Sequence, residues 1–90
     1  MKKKITKEAI AGELLKFTRG KIVDPSLDLQ IEDKLMSVGI DSHSLLELII
    51  FVERNFGIKI PDHDLTIGNL STIETIAGCA YENYKMADAS

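Results

Sequence analysis

Ninety residues and 10.0 kDa hold one small domain with a modest core, too little for a large catalytic cleft. Eleven basic against 14 acidic side chains leave a net charge of −3 and a pI near 5.3, which excludes the basic face of a nucleic-acid binder. With 44% hydrophobic and 28% charged residues the chain is also too apolar for intrinsic disorder. The charge is uneven: residues 1–34 carry 8 basic and 6 acidic side chains, residues 35–90 carry 3 and 8. A partner of the second part is expected to bring positive charge. A single cysteine, Cys79, excludes an internal disulfide and fits a reducing, cytoplasmic compartment. The basic start Met1–Lys4 reads as a solvated end. It is followed by Glu8 and Glu13 rather than an apolar run, so no signal peptide is expected. The longest apolar run, Leu48–Val52, is far short of a membrane span.

In chain order, Thr6 suits the cap of a first helix running to about Thr18. Ile5 and Ile10 are placed as a hydrophobic staple, Ile10, Leu14 and Phe17 face inward, and Gly20 is the expected stop. Lys21–Ile40 is a long connection containing Pro25, pinned by Ile22, Leu27, Leu29, Ile31, Leu35 and Val38. A helical turn is expected near Asp33–Met36, and the alternation at Leu27, Leu29 and Ile31 leaves a strand as the alternative. Asp41 caps a second helix that ends at Phe56 before Gly57. After Pro61, residues 62–68 read as a short helix or turn. Ser71-Thr72-Ile73-Glu74 reads as a capping box with Ser71 as cap, opening a last helix that runs to about Tyr84. The prediction is all-α: a small four-helix bundle with three main helices, one short helix and a long first loop. It forms a single domain over residues 1–90, ordered from about 5 to 84, with a frayed tail at 85–90.

The second helix carries two apolar stripes. Leu45, Leu48, Ile49, Val52 and Phe56 form one inward face. Leu46 and Ile50 lie on another, with Phe51 beside them and Glu47, Glu53 and Arg54 at the border. Either the helix is buried on most sides, or the second stripe is a docking surface. Ser42 opens this helix. It either assists Asp41 in capping or offers a hydroxyl on which an attached phosphate would meet free backbone N–H groups and the positive end of the helix dipole.

Gly39-Ile40-Asp41-Ser42, then Leu45-Leu46-Glu47-Leu48, then Phe56-Gly57-Ile58-Lys59-Ile60-Pro61-Asp62 resemble the acyl carrier protein family over roughly residues 6–84. The resemblance implies that Ser42 is esterified by 4′-phosphopantetheine from coenzyme A, whose thiol carries acyl groups between separate enzymes. Asp41 then matches the aspartate that helps the phosphopantetheinyl transferase place its metal and coenzyme A. Leu46, Glu47, Ile50 and Glu53 match the docking positions of the recognition helix. The implied partners are that transferase and acyl-loading, acyl-transfer or condensing enzymes, with the carrier itself a monomer that catalyses nothing. His43, Ser44 and Arg54 depart from the commonest pattern and make the helix less acidic, which points from general fatty-acid synthesis toward polyketide, nonribosomal-peptide or lipid-tailoring work. A sheltered acyl cargo would lie among Ile49, Val52, Ile60, Leu65, Leu70 and Ile73.

Other constellations are weaker. Asp41, Ser42 and His43 are consecutive on a helix and point apart, so they cannot form a hydrolytic triad. Asp62-His63-Asp64 has no second His or Cys at ligand spacing and reads as a cap rather than a metal site. Cys79 reads as a small, partly buried hydrophobe. The alternative to a carrier is an unmodified helical adaptor that uses the Leu46/Ile50 stripe; only the carrier needs the Ser42 hydroxyl.

Overall fold

A computed structural model describes residues 5–22, 24 and 26–89; the basic start Met1–Lys4, Pro25 and Ser90 lie outside the described residues. Three α-helices form the fold, α1 (Lys7–Phe17), α2 (Ser42–Phe56) and α3 (Ile73–Ala89), and there is no strand among the described residues. No helix among them is long and apolar enough to cross a membrane.

Local sequence explains each helix start. The Thr6 hydroxyl accepts the Ala9 N–H at 3.0 Å and caps α1. Ile5 packs against the core where Ile10 is fully buried, the arrangement of a staple. Gly20 does not stop the helix. The chain widens into a π-helical turn over Thr18–Ile22, and Gly20 lies inside it without a positive φ. Thr18 occupies the junction, fully buried, with its hydroxyl donated to the Leu14 carbonyl at 2.7 Å. That bond satisfies the one buried polar side chain among the described residues and offers the helix an alternative to its regular ladder.

The connection to α2 is pinned as expected, but by different means. Leu29 and Leu35 are buried and Leu27 is exposed. The alternation at Leu27, Leu29 and Ile31 makes no strand. Instead the Ile31 carbonyl accepts the Glu74 N–H, and the Leu35 N–H donates to the Ser71 carbonyl at 2.9 Å. The helical turn falls at Leu35–Val38, two residues later than expected. Gly39 closes it with φ 93°, a left-handed conformation that costs other residues strain.

α3 begins one residue away from the expected register. Thr72, not Ser71, is the cap: its hydroxyl accepts the Thr75 N–H at 3.0 Å, and the Thr75 hydroxyl accepts the Thr72 N–H at 3.0 Å. Thr75 thus fills the reciprocal role assigned to Glu74. Ser71 donates its hydroxyl to the Gly68 carbonyl instead. At the other end α3 runs to Ala89, past the expected end at Tyr84. A Glu82–Lys85 ion pair at 3.1 Å and the Lys85 ammonium 5.1 Å from the Tyr81 ring accompany the added turn.

α1 and α3 make the closest helix pair. Ala11, Ala77 and Ala80 are buried, and the Lys7 side chain lies beside Gly78 of α3. α2 approaches α1 next, while the backbones of α2 and α3 stay further apart. Large aliphatic side chains from both helices enter the common core: Leu48, Ile49 and Val52 from α2, Ile73 and Ile76 from α3.

Candidate functional site

Asp41 stands just before α2 in an extended conformation, and its Oδ1 accepts the Ser44 N–H at 2.9 Å. Its carbonyl accepts the Leu45 N–H at 3.0 Å, the first rung of the helix. The hydrogen bond from the Ser44 backbone, then that from its side chain, holds the Asp41 carboxyl below the ordinary aspartate value. The cap is therefore ionised at neutral pH.

Ser42 follows as the first helical residue and is exposed. Capping falls to Asp41, so the Ser42 hydroxyl makes no hydrogen bond to another described residue. The Ser42 and His43 N–H groups belong to the unpaired donors of the first turn. The arrangement fits a phosphodiester: a free hydroxyl to esterify and backbone donors beside it. His43 points away along the surface, its Nε2 3.2 Å from the Glu47 Oε1 one turn on, with both side chains well exposed. No histidine reaches Ser42, and the triad reading stays excluded on geometry.

The two stripes of α2 separate clearly. Leu45, Leu48, Ile49 and Val52 are buried, while Phe56 is half-buried. Leu46 and Ile50 remain 50% and 49% exposed, too large an apolar surface for a helix buried on most sides. Phe51 does not join them in solvent. It stacks on Phe17 of α1, with ring centroids 4.4 Å apart, and so closes that side of the helix. A groove of about 320 Å³ runs over this stack, bounded by Glu47, Ile50, Arg54 and Asn55.

Glu53 behaves differently from the other residues expected on the docking face. It is half-buried, and its Oε2 accepts the Ile60 N–H at 3.0 Å. Through this bond Glu53 ties α2 to the segment behind it. The six residues assigned to cargo lie together in or against the core. Ile49, Val52, Ile60 and Ile73 are buried, and Leu65 and Leu70 pack on them half-buried. Asp62-His63-Asp64 does not cap a helix; these residues are the short 3-10 turn itself, preceded by Pro61 with no side-chain cap. No group of His, Cys, Asp or Glu among the described residues is arranged to hold a metal. Asp64 instead accepts from Asn83 of α3 at 3.0 Å, and its carbonyl accepts from Asn69 at 2.7 Å.

A family model described as a phosphopantetheine attachment site matches residues 9–80. Aminoacyl carrier protein 1 of Bradyrhizobium diazoefficiens is 28% identical over 69 residues, covering 74% of this chain and 77% of the relative. The matched span contains α2 with the exposed serine at its start, the stripe behind it and the first turns of α3. The chain belongs to the phosphopantetheine-attachment family, carrier domains that hold 4′-phosphopantetheine covalently and leave the chemistry to other enzymes.

Proposed function

We propose that Ser42 is the attachment residue and that the protein carries acyl or aminoacyl groups between the enzymes of a specialised biosynthetic pathway. The observation that carries the assignment is the division of labour at the start of α2. Asp41 caps the helix, and Ser42 is left exposed with its hydroxyl unengaged. When bound, phosphopantetheine supplies a thiol that holds cargo as a thioester. The chain's own residues present the attachment oxygen, neutralise the phosphodiester with the first N–H groups of α2, and offer a docking face beside it.

That face is formed by Leu46, Glu47 and Ile50, with Glu53 at its edge. Opposite charges at Glu47 and Arg54 on either side of Ile50 support partners other than those selecting a uniformly acidic helix. The similarity to an aminoacyl carrier supports a cargo outside general fatty-acid synthesis. The partners are a phosphopantetheinyl transferase and loading, transfer or condensing enzymes. A reducing, cytoplasmic setting is consistent with a lone cysteine.

Incubation with coenzyme A, magnesium and a broad-specificity transferase should add one phosphopantetheine mass to the intact protein. Ser42→Ala should add none. A protein that stays unmodified, or a Ser42→Ala variant that still gains the mass, overturns the assignment; the first result would leave an unmodified adaptor using the same face.

A further inference from the structure

The exposed stripe of α2 does not end at the edge of that helix. Ile5, Glu8 and Ala9 at the start of α1 share a groove with Asn55 and Phe56 at the end of α2, while Phe17 at the end of α1 stacks on Phe51. The two helices therefore run antiparallel, and the stack lies in the seam between them. Both rings are half-buried, so part of each stays open to solvent. With Ile50 they floor the groove of about 320 Å³ at this seam. Small-molecule pockets run from about 300 to 1,000 Å³, so this one suits a single large side chain of a docking protein better than a ligand of its own. An apolar floor inside a polar rim is also the anatomy of an interface anchor.

The charges on the rim are not equivalent. Glu47 has a neighbour on its own helix, the His43 Nε2 at 3.2 Å. Arg54 is exposed, and no carboxylate among the described residues pairs with it. Asn55 is held at the same rim, its Nδ2 donating to the Phe51 carbonyl at 2.9 Å. From α1, Lys21 follows Phe17 by four residues, close to one turn on along the same side. The charge left unanswered at this groove is thus positive, although residues 35–90 as a whole are acidic.

We propose that the seam is an anchor site for a partner protein that lays one apolar side chain over the Phe17–Phe51 stack and sets an Asp or Glu against Arg54. The proposal rests on the reading of the chain as a carrier that docks through α2, and it makes Arg54 the residue that selects among partners. A guanidinium holds a carboxylate by two parallel bonds and keeps its charge at any working pH. Beside an apolar floor that pair is less exposed to water than one on open surface, so it contributes more. The same charge acts against the wrong partner. An enzyme that brings only Lys and Arg to α2 meets Arg54 uncompensated, and like charges facing each other lower its affinity. One side chain and one ion pair form a weak anchor, which suits a protein that must leave each enzyme for the next.

The test uses three acetylated, amidated dipeptides as probes of the unmodified full chain: phenylalanyl-glutamate, phenylalanyl-lysine and glycyl-glutamate. Binding is read from backbone amide NMR shifts at neutral pH and constant ionic strength. Phenylalanyl-glutamate should give saturable shifts grouped on Phe17, Ile50, Phe51 and Arg54. It should bind at least about threefold more tightly than phenylalanyl-lysine, in line with a partly shielded ion pair. Glycyl-glutamate, with charge but no ring, should not saturate. Arg54 is exposed, so its replacement leaves the core intact, and Arg54→Glu should reverse the order of the first two probes. Absence of grouped, saturable shifts with phenylalanyl-glutamate overturns the anchor site. Equal binding of glycyl-glutamate overturns the part given to the aromatic stack. An unchanged order in Arg54→Glu overturns the part given to Arg54. None of these measurements requires Ser42 to be modified, so failure here is distinct from failure of the carrier assignment.

Discussion

Two titratable residues, one at the start of α2 and one on α3, are tuned in opposite directions. Asp41 is held below its ordinary value by the Ser44 bonds, so its ionised form is the one the folded state favours. Its contribution to stability is present above the unfolded carboxylate pKa of about 4 and is lost as pH falls through the lower folded value. The stability gap between wild type and Asp41→Asn, measured by urea unfolding, should be constant near neutral pH and shrink in acid below that point. Cys79 moves the other way. Burial first, then the nearby Asp64 carboxylate, push its thiol above the ordinary range. The thiolate is the nucleophile, so Cys79 should alkylate with iodoacetamide more slowly than a free thiol at pH 8 and catch up only in denaturant. A carrier benefits from this: the arm's thiol then has no reactive competitor on the same protein. An alkylation rate equal to that of a model thiol would contradict it.

At the scale of elements, α2 carries one buried apolar stripe and one exposed one. Ile73 of α3 is fully buried in the core that receives the inner stripe, and Ile73→Ala should cost ~2–5 kcal/mol. Ile50, half exposed on the outer stripe, should lose well under that on truncation to Ala, while partner turnover falls. Chemical denaturation together with a transfer assay separates the two; an Ile50→Ala variant that unfolds would assign the outer stripe to the core. The start of α3 offers a second comparison. Thr72→Ala removes a reciprocal cap and should cost ~1 kcal/mol. Glu74→Ala should cost only a few tenths, because Glu74 is exposed and its side chain takes no part in that cap. The sequence pattern Ser-x-x-Glu at 71–74 and the observed Thr-x-x-Thr at 72–75 are both legal capping boxes. The choice between them is made by the Ser71 carbonyl, which is taken by Leu35 from the first loop.

For the whole molecule, the question is where cargo goes. The α2 and α3 backbones stay apart, and Ile49, Val52, Ile60, Leu65, Leu70 and Ile73 lie in or against the core the helices share. Ile49, Val52, Ile60 and Ile73 are buried, so an acyl chain sheltered among them would have to displace aliphatic side chains rather than fill an open channel. Each methylene sheltered is worth ~0.8 kcal/mol, enough for a medium chain to drive that displacement. Loading Ser42 with an octanoyl arm should therefore raise the melting temperature over an acetyl arm and shift the methyl signals of Ile49, Ile60 and Ile73. Shifts confined to residues around Ser42 would place the cargo in solvent and favour short or polar groups such as aminoacyl thioesters of the arm.

Capping and periodicity act within a turn or two of the chain, and what they govern was legible from residues alone. Thr6 and Asp41 start their helices where their hydroxyl and carboxylate meet the next free N–H groups. Gly57 ends α2 because the left-handed conformation there is easiest for glycine. The spacing of Leu45, Leu48, Ile49 and Val52 marks a buried face whatever covers it. Tertiary structure decided everything that needs a partner distant in sequence. Phe51 left the exposed stripe because Phe17 was there to stack on it. The first loop became a tether rather than a strand because its N–H and C=O groups found the start of α3. Glu53 became a fastening because the turn at Gly57 brought the Ile60 N–H back to its carboxylate. A backbone donor or an aromatic face looks the same in any sequence, and only the folded chain determines which group comes close enough to use it.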